Sequence, residues 1–284
     1  MRLAVVLLTI LLSFSAYARP LKIGKLVEDR LQGMQNLKRI AELIISEMPE
    51  FDSYEIITEP TEDIDNFVRM IDRENVDIVI ESIHTAAYAE KHTDMQPLLL
   101  ISRNGSVFVK GIILVRKDSE ISSLKDLNGK TISIPNENAT STYHLIKSSF
   151  AKTGIKMTKI DSPESNVEKN TIGYTVTKDK AKSVSQVYLK KTDAAAICSS
   201  SWGDPNTVPN FEKEELKIIY ETQSVPGLFM MVRGSLPKET KEKIASVLLS
   251  TSSGGISPNR IKDCSITSFH KINFDWHSLL KTLD

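Results

Sequence analysis

Apolar and polar positions follow two rhythms along the chain. Leu21-Lys22-Ile23-Gly24-Lys25-Leu26 alternates over a short span and predicts a strand. Over residues 35 to 48 the apolar positions fall instead on one helical face, at Leu37, Ile40, Ala41, Ile44 and Met48, and Pro49 closes the segment. Tyr54 to Thr58 predicts a second strand. Asp63 to Arg73 predicts a second helix that buries Ile64, Phe67, Val68 and Ile71, and it leads into Val76-Asp77-Ile78-Val79-Ile80. That last run is nearly all β-branched, as expected of a central strand covered on both faces. The order strand, helix, strand, helix, strand is the mark of a mostly parallel sheet.

A second α/β unit follows. Val107 to Val115 reads as one long apolar strand, and Ser122 to Lys130 as a short capped helix and turn. Thr131 to Ile134 is a strand, Pro135 to Ala139 a polar loop, and Thr140 to Lys152 a helix that stops at Gly154. Met157 to Ile160, Ala181 to Lys191 and Asp193 to Ile197 continue as strand, helix and strand, with a further strand at Leu216 to Tyr220. After Pro226-Gly227 come a strand at Leu228 to Val232, a helix at Pro237 to Ser250, and a tail bearing Phe269, Phe274 and Trp276. Ser199-Ser200-Ser201 and the Ser/Gly stretch 250 to 255 read as loops.

The first residues stand apart from this pattern. Arg2 precedes the apolar run Leu3 to Leu12, and Ala16 and Ala18 supply the small residues of an A-x-A site. Residues 1–18 are therefore expected to be a signal peptide cleaved after Ala18, and the mature chain to be periplasmic. The apolar run is short for a membrane span of roughly 20 residues, and no cysteine follows the cleavage site to carry a lipid. The 36 basic and 36 acidic residues balance, which removes the usual argument for a nucleic-acid or membrane-surface partner. With 40% hydrophobic and 25% charged residues, the composition is that of a soluble globular protein, and 284 residues suffice for two lobes or one large domain.

Catalytic motifs are missing. Gly129-Lys130-Thr131 imitates the end of a phosphate-binding loop, but Leu124 stands where that loop needs glycine, and the tripeptide precedes its strand. There is no G-x-S-x-G, no H-E-x-x-H and no metal-ligand spacing among the two cysteines and five histidines, so no catalytic residue, metal or cofactor is expected. Each histidine is isolated, and a surface or core role is the default for all five. In an oxidising compartment Cys198 and Cys264 read either as a disulfide or as free thiols. The stronger feature is Asn138-Ala139-Thr140-Ser141-Thr142-Tyr143, between a strand and a helix. Open α/β sheets bind ligands at that edge. The unpaired N–H groups of a helix start, joined by three hydroxyl residues, would complete an anion site, unless they form only an ordinary N-cap.

Two runs carry a resemblance. Gly111-Ile112-Ile113-Leu114-Val115-Arg116-Lys117-Asp118-Ser119, then Ser123-Leu124-Lys125-Asp126-Leu127-Asn128-Gly129-Lys130-Thr131, together with the Thr140-Ser141-Thr142-Tyr143 turn, resemble the phosphate/phosphite/phosphonate substrate-binding proteins of ABC importers. The resemblance covers nearly all of the mature chain and implies the type 2 periplasmic-binding-protein fold. In that fold two α/β lobes, each a mixed sheet flanked by helices, are joined by two crossing segments around a ligand cleft. It places lobe 1 at 19–116 and 225–284 and lobe 2 at 117–224. It also implies a monomer that delivers a small ligand to a membrane permease.

The resemblance assigns the hydroxyl turn of Thr140, Ser141 and Thr142, with Tyr143, to an anionic oxygen group, and places Glu81, Ser82 and His84 at the cleft. It does not extend to every ligand residue. Two family tyrosines fall on Ile64 and Ala86, a histidine on Lys180, and the acid that holds an amine on Cys198. Lys180 and Cys198 are therefore expected at the cleft with altered chemistry, favouring an anion without an amine. A disulfide from Cys198 in lobe 2 to Cys264 in lobe 1 would oppose hinge motion, which favours free thiols. Two rival readings use the same scaffold. One is an enzyme with Cys198 as nucleophile, which needs His84, Glu81 or another base within hydrogen-bond reach of the thiol. The other is a ligand sensor for a membrane kinase.

Overall fold

The computed structural model describes residues 18–27, 30–60, 63–103, 105–252 and 266–281. The expected signal peptide, apart from Ala18, and Cys264 lie outside the described residues.

The first lobe is assembled from β1 (Arg19–Val27), α1 (Arg30–Glu47), β2 (Phe51–Pro60), α2 (Ile64–Arg73), β3 (Ile78–Glu81), α3 (Ile83–His92) and β4 (Met95–Arg103). The chain leaves through β5 (Phe108–Val109) and enters the second lobe with β6 (Gly111–Arg116) and a 3-10 turn at Leu124–Leu127. There follow β7 (Thr131–Ile134), a π-helical turn at Thr140–His144 running into α4 (Leu145–Lys152), β8 (Lys156–Lys159) and β9 (Thr171–Val176). The lobe is completed by α5 (Lys180–Tyr188), β10 (Ala194–Cys198), α6 (Asn210–Glu215) and β11 (Leu216–Glu221). Return is through β12 (Val225–Pro226) to β13 (Phe229–Arg233), α7 (Lys238–Ser252), β14 (Ile266–Lys271) and α8 (Trp276–Lys281).

Each lobe is built on a six-stranded sheet, ordered β14-β4-β13-β3-β1-β2 and β11-β6-β10-β7-β9-β8. Both sheets are mixed. β1, β2 and β3 run parallel, as the βαβαβ pattern requires, while β13 pairs antiparallel with both β3 and β4. In the second sheet β7, β8, β9 and β10 are parallel and β6 is antiparallel to its two neighbours.

Apolar side chains fill both faces of each sheet. Leu37, Ile40 and Ile44 of α1 meet Ile244 and Leu248 of α7 on one face of the first sheet, and Phe67, Ile83 and Trp276 close the other. All four residues of β3 are buried, which explains why Ile78, Val79 and Ile80 are apolar without alternation. The second sheet is closed by Ile146 and Phe150 of α4 on one face and by Val184 and Val187 of α5 on the other.

Two expectations are corrected here. The long strand predicted at Val107 to Val115 is broken at Lys110, whose N–H donates to the Ser199 hydroxyl and whose carbonyl accepts from the Ser199 N–H. The halves then join different partners: β5 pairs with β12 in a two-stranded ribbon, and β6 lies inside the second sheet. Residues 111–116, expected in lobe 1, therefore belong structurally to lobe 2. The crossing segments are the paired strands β5 and β12, held close because a Cβ on Gly227 would stand 2.7 Å from Val109 Cγ1.

Candidate functional site

The carboxyl ends of the central strands converge where the lobes touch. From lobe 1, β3 runs through Ser82 directly into α3. From lobe 2, β7 runs through the 135–139 loop into the π-turn. Helix starts carry N–H groups with no partner inside the helix and about half a positive charge, and here two such starts face each other. The backbone N–H of His84 donates to Thr140 Oγ1 at 3.1 Å.

The π-turn is wider than an α-helical start, with the N–H groups of Tyr143 and His144 both reaching the Ala139 carbonyl. Such turns recur at functional sites. This one is packed tightly on lobe 2, since a Cβ at Gly111 would stand 2.0 Å from the Ser141 carbonyl oxygen. Gly111 is itself clamped by Thr222, whose Oγ1 accepts its N–H at 2.9 Å while the Thr222 N–H donates to the Gly111 carbonyl. The preceding loop is braced by Tyr174, which donates to Glu137 Oε1 at 2.6 Å, and by Lys159, 2.7 Å from Oε2. Burial works against the Glu137 charge, but the Lys159 and Tyr174 hydrogen bonds hold its carboxyl below the usual range.

Two imidazoles complete the contact. The rings of His84 and His144 stack with centroids 3.5 Å apart and planes inclined by 22°, and Tyr143 meets His144 edge-on at 5.1 Å. Burial lowers the pKa of His84. Burial, then the His84 and Lys147 charges, lowers that of His144 to about 3, although the Glu137 main-chain carbonyl pulls the other way. Two buried polar atoms in this turn, Thr142 Oγ1 and His144 Nε2, have no hydrogen-bond partner among the described residues.

The expected site residues divide into three groups. Thr140, Ser141, Thr142 and His84 lie at the lobe contact or in the turn that forms it, and Ser82 is the N-cap of α3 without a side-chain capping bond. Glu81 and Tyr143 turn into their own lobes. Glu81, expected at the cleft, is buried, accepts the Leu26 N–H at 2.6 Å and lies 3.9 Å from Lys25 Nζ. Burial raises its pKa, against Lys25 and the N–H groups of Leu26 and Ser82. Tyr143 is part of the lobe 2 core, with its hydroxyl 3.3 Å from that of Tyr174.

Lys180 and Cys198 form the third group. Lys180 opens α5, and among the described residues no hydrogen bond or ion pair links it to the lobe contact. Cys198 pairs with Gly111 at the end of β10, beneath the turn, and carries a free thiol. Its side chain meets Ser200 Oγ at 3.2 Å, and no histidine or carboxylate is within hydrogen-bond reach among the described residues.

His144 was missed by the sequence reading, which treated every histidine as isolated. The available signal was its spacing, four residues after Thr140 and therefore near it around a helix start.

A family model described as "ABC transporter, phosphonate, periplasmic substrate-binding protein" matches residues 34–276. No curated protein matches the chain. Among solved structures, XAC2383 from Xanthomonas citri bound to chloride ion is 25% identical, with a TM-score of 0.85 over 93% of this chain and 95% of that one. The same protein bound to ATP is 24% identical, with a TM-score of 0.82 over 94% and 96%. PhnD1 from Prochlorococcus marinus, in complex with methylphosphonate, shares the fold at 15% identity and a TM-score of 0.73 over 93% and 97%. A binding protein component of an ABC phosphonate transporter from Pseudomonas aeruginosa shares it at 19% identity and a TM-score of 0.68 over 94% and 85%.

Proposed function

The chain belongs to the periplasmic substrate-binding proteins of phosphonate ABC transporters, and from that premise we propose that it captures a small oxyanion between the first turn of α3 and the π-turn 140–144. In this reading the chain is exported by residues 1–18, acts as a monomer and presents its closed form to a membrane permease. It binds and releases its ligand without making or breaking a bond.

One observation carries the reading: the His84 N–H and the Thr140 hydroxyl meet across the lobes at the facing starts of two helices. An anionic oxygen inserted there would accept from N–H groups on both sides and so hold the lobes together. The hydroxyl of Thr142, buried and without a partner among the described residues, supplies a further donor. The resemblance sets Cys198 where the family carries an amine-binding acid, and this supports an anion without an amine. XAC2383, solved with chloride, is a related chain that accepts an anion.

The test is thermal unfolding of the mature protein with methylphosphonate, phosphate, phosphite, methanesulfonate, an amino acid and ATP. A ligand at 100 times its Kd adds about 2.7 kcal/mol of stability. A shift with small oxyanions, lost in Thr140→Ala, is the expected result. A shift with the amino acid or with ATP alone, or an undiminished oxyanion response in Thr140→Ala, would overturn the assignment of this site.

A further inference from the structure

The hydroxyl turn accounts for an anion's charge but leaves one acceptor unexplained. His144 Nε2 is buried at the lobe contact without a partner among the described residues. The Glu137 main-chain carbonyl is the ring's hydrogen-bond acceptor, and since Nε2 is unpartnered, that bond belongs to Nδ1. The neutral ring then carries its proton on Nδ1 and presents a lone pair at Nε2. Stacking on His84 fixes the ring plane, and Tyr143 packs against the ring at 77° with centroids 5.1 Å apart. An unmatched buried acceptor is costly unless a donor meets it.

We propose that the Nε2 lone pair of His144 is a specificity determinant that accepts a hydrogen bond from a proton-bearing oxygen of the ligand, so that the site takes a singly protonated phosphoryl oxyanion and rejects a sulfonate. This rests on the oxyanion reading above and narrows it. A phosphonate, like a phosphate monoester, loses its second proton near neutrality. Its monoanion, reached at working pH by taking up one proton, offers two oxygens that share the charge to the helix starts and one P–OH to Nε2. A sulfonate has the same shape and three acceptor oxygens but no proton to give. To receive it, His144 would first have to take a proton from solvent, which its surroundings oppose.

The groups facing the two rings support that opposition. They are His84 from α3, and Tyr143, Lys147 and the Glu137 carbonyl from lobe 2. Lys147 and a second imidazole disfavour added positive charge, and no carboxylate among the described residues is hydrogen-bonded to either ring. Sites built to pair a ligand hydroxyl discriminate strongly against analogues that lack it, because the buried partner is left unmatched.

The experiment is calorimetric titration of the mature protein with methylphosphonate and with methanesulfonate. Each titration is run at pH 8 in two buffers of different ionisation enthalpy. The expected result is a preference for methylphosphonate of about 100-fold or more, with uptake of roughly one proton per ligand, because the free dianion must be protonated to fit. His144→Phe keeps a stacking ring without the acceptor and is expected to bring the preference below about tenfold, as is His144→Asn, with melting curves confirming that each is folded. Equal affinity of the wild type for the two anions, phosphonate binding without proton uptake, or a folded His144 variant that keeps the full preference would each overturn the inference while leaving the oxyanion site standing. Failure of the wild type to bind either anion would remove both.

Discussion

Gly111 illustrates how one absent methyl group can position a site 30 residues further along the chain. Its Cα faces the Ser141 carbonyl so closely that a Cβ would stand at 2.0 Å, on backbone that cannot move without carrying the hydroxyl turn with it. Gly111→Ala is therefore expected to lose about 1–3 kcal/mol of stability, the usual cost of overpacking, and to lose oxyanion binding in the same thermal-shift panel. Gly129 provides the contrast. It has a φ of 75° and open space around its Cβ position, so Gly129→Ala should cost about 1–2 kcal/mol of backbone strain and leave binding unchanged. Equal loss of binding in both variants would show that general destabilisation, not the turn, is responsible. The residue scale was only partly legible in sequence. The Thr140-Ser141-Thr142 hydroxyls stood out because of their place between strand and helix. Glu81 was expected at the cleft from its place at a strand end; what the sequence did not show is its burial and its bond to the Leu26 N–H of a neighbouring strand.

Elements were legible where burial imposed a period. α2 buries Phe67, Val68, Met70 and Ile71 on one face and begins at Asp63, whose side chain accepts the Asn66 N–H at 2.8 Å. Asp63 is exposed, so Asp63→Ala isolates the cap. The expected result by chemical denaturation is a loss of about 1 kcal/mol, with unchanged ligand affinity. Two elements of the first lobe, α3 at the site and β4 in the sheet behind it, escaped the sequence reading. α3 packs through Ile83, Thr85, Ala86 and Ala89, and small or polar residues on the buried face leave little apolar rhythm. β4 carries Pro97 within its span, where its register against β13 shifts. A proline inside an apolar run argues against a regular strand, and only the irregular ladder accommodates it. The turn at 140–144 was expected to begin an ordinary helix; it is π-helical and packs on Gly111, which is distant in sequence.

The whole molecule comprises two mixed sheets joined by the β5–β12 ribbon, and the His84–His144 stack spans the lobes. That stack is expected to make closure depend on acid. With the rings stacked, burial depresses the His144 pKa to about 3 and lowers that of His84 as well, whereas a solvated imidazole titrates near about 6.5. An open form that returns the rings to water binds more protons than the stacked form below about pH 6.5. Closure is favoured above about pH 6.5 and weakens as pH falls below it, by up to about 1.4 kcal/mol per pH unit for each proton. Small-angle scattering of the ligand-free protein should show the radius of gyration rising between pH 8 and pH 5, with the rise reduced in His84→Phe. A profile flat across that range in the wild type would exclude the coupling.

By itself the sequence determined the α/β class, the order of most elements, the family resemblance and the hydroxyl turn. These rest on local periodicity and on motifs whose residues are adjacent. Tertiary structure decided what depends on distant partners: the break at Lys110 that sends Gly111–Arg116 into the second sheet, the antiparallel insertion of β13, the inward turn of Glu81, and the pairing of His84 with His144. The two histidines are 60 positions apart and unremarkable in sequence. They meet because two sheets direct the ends of their central strands at one another, and this relation arises only once both lobes are folded and in contact.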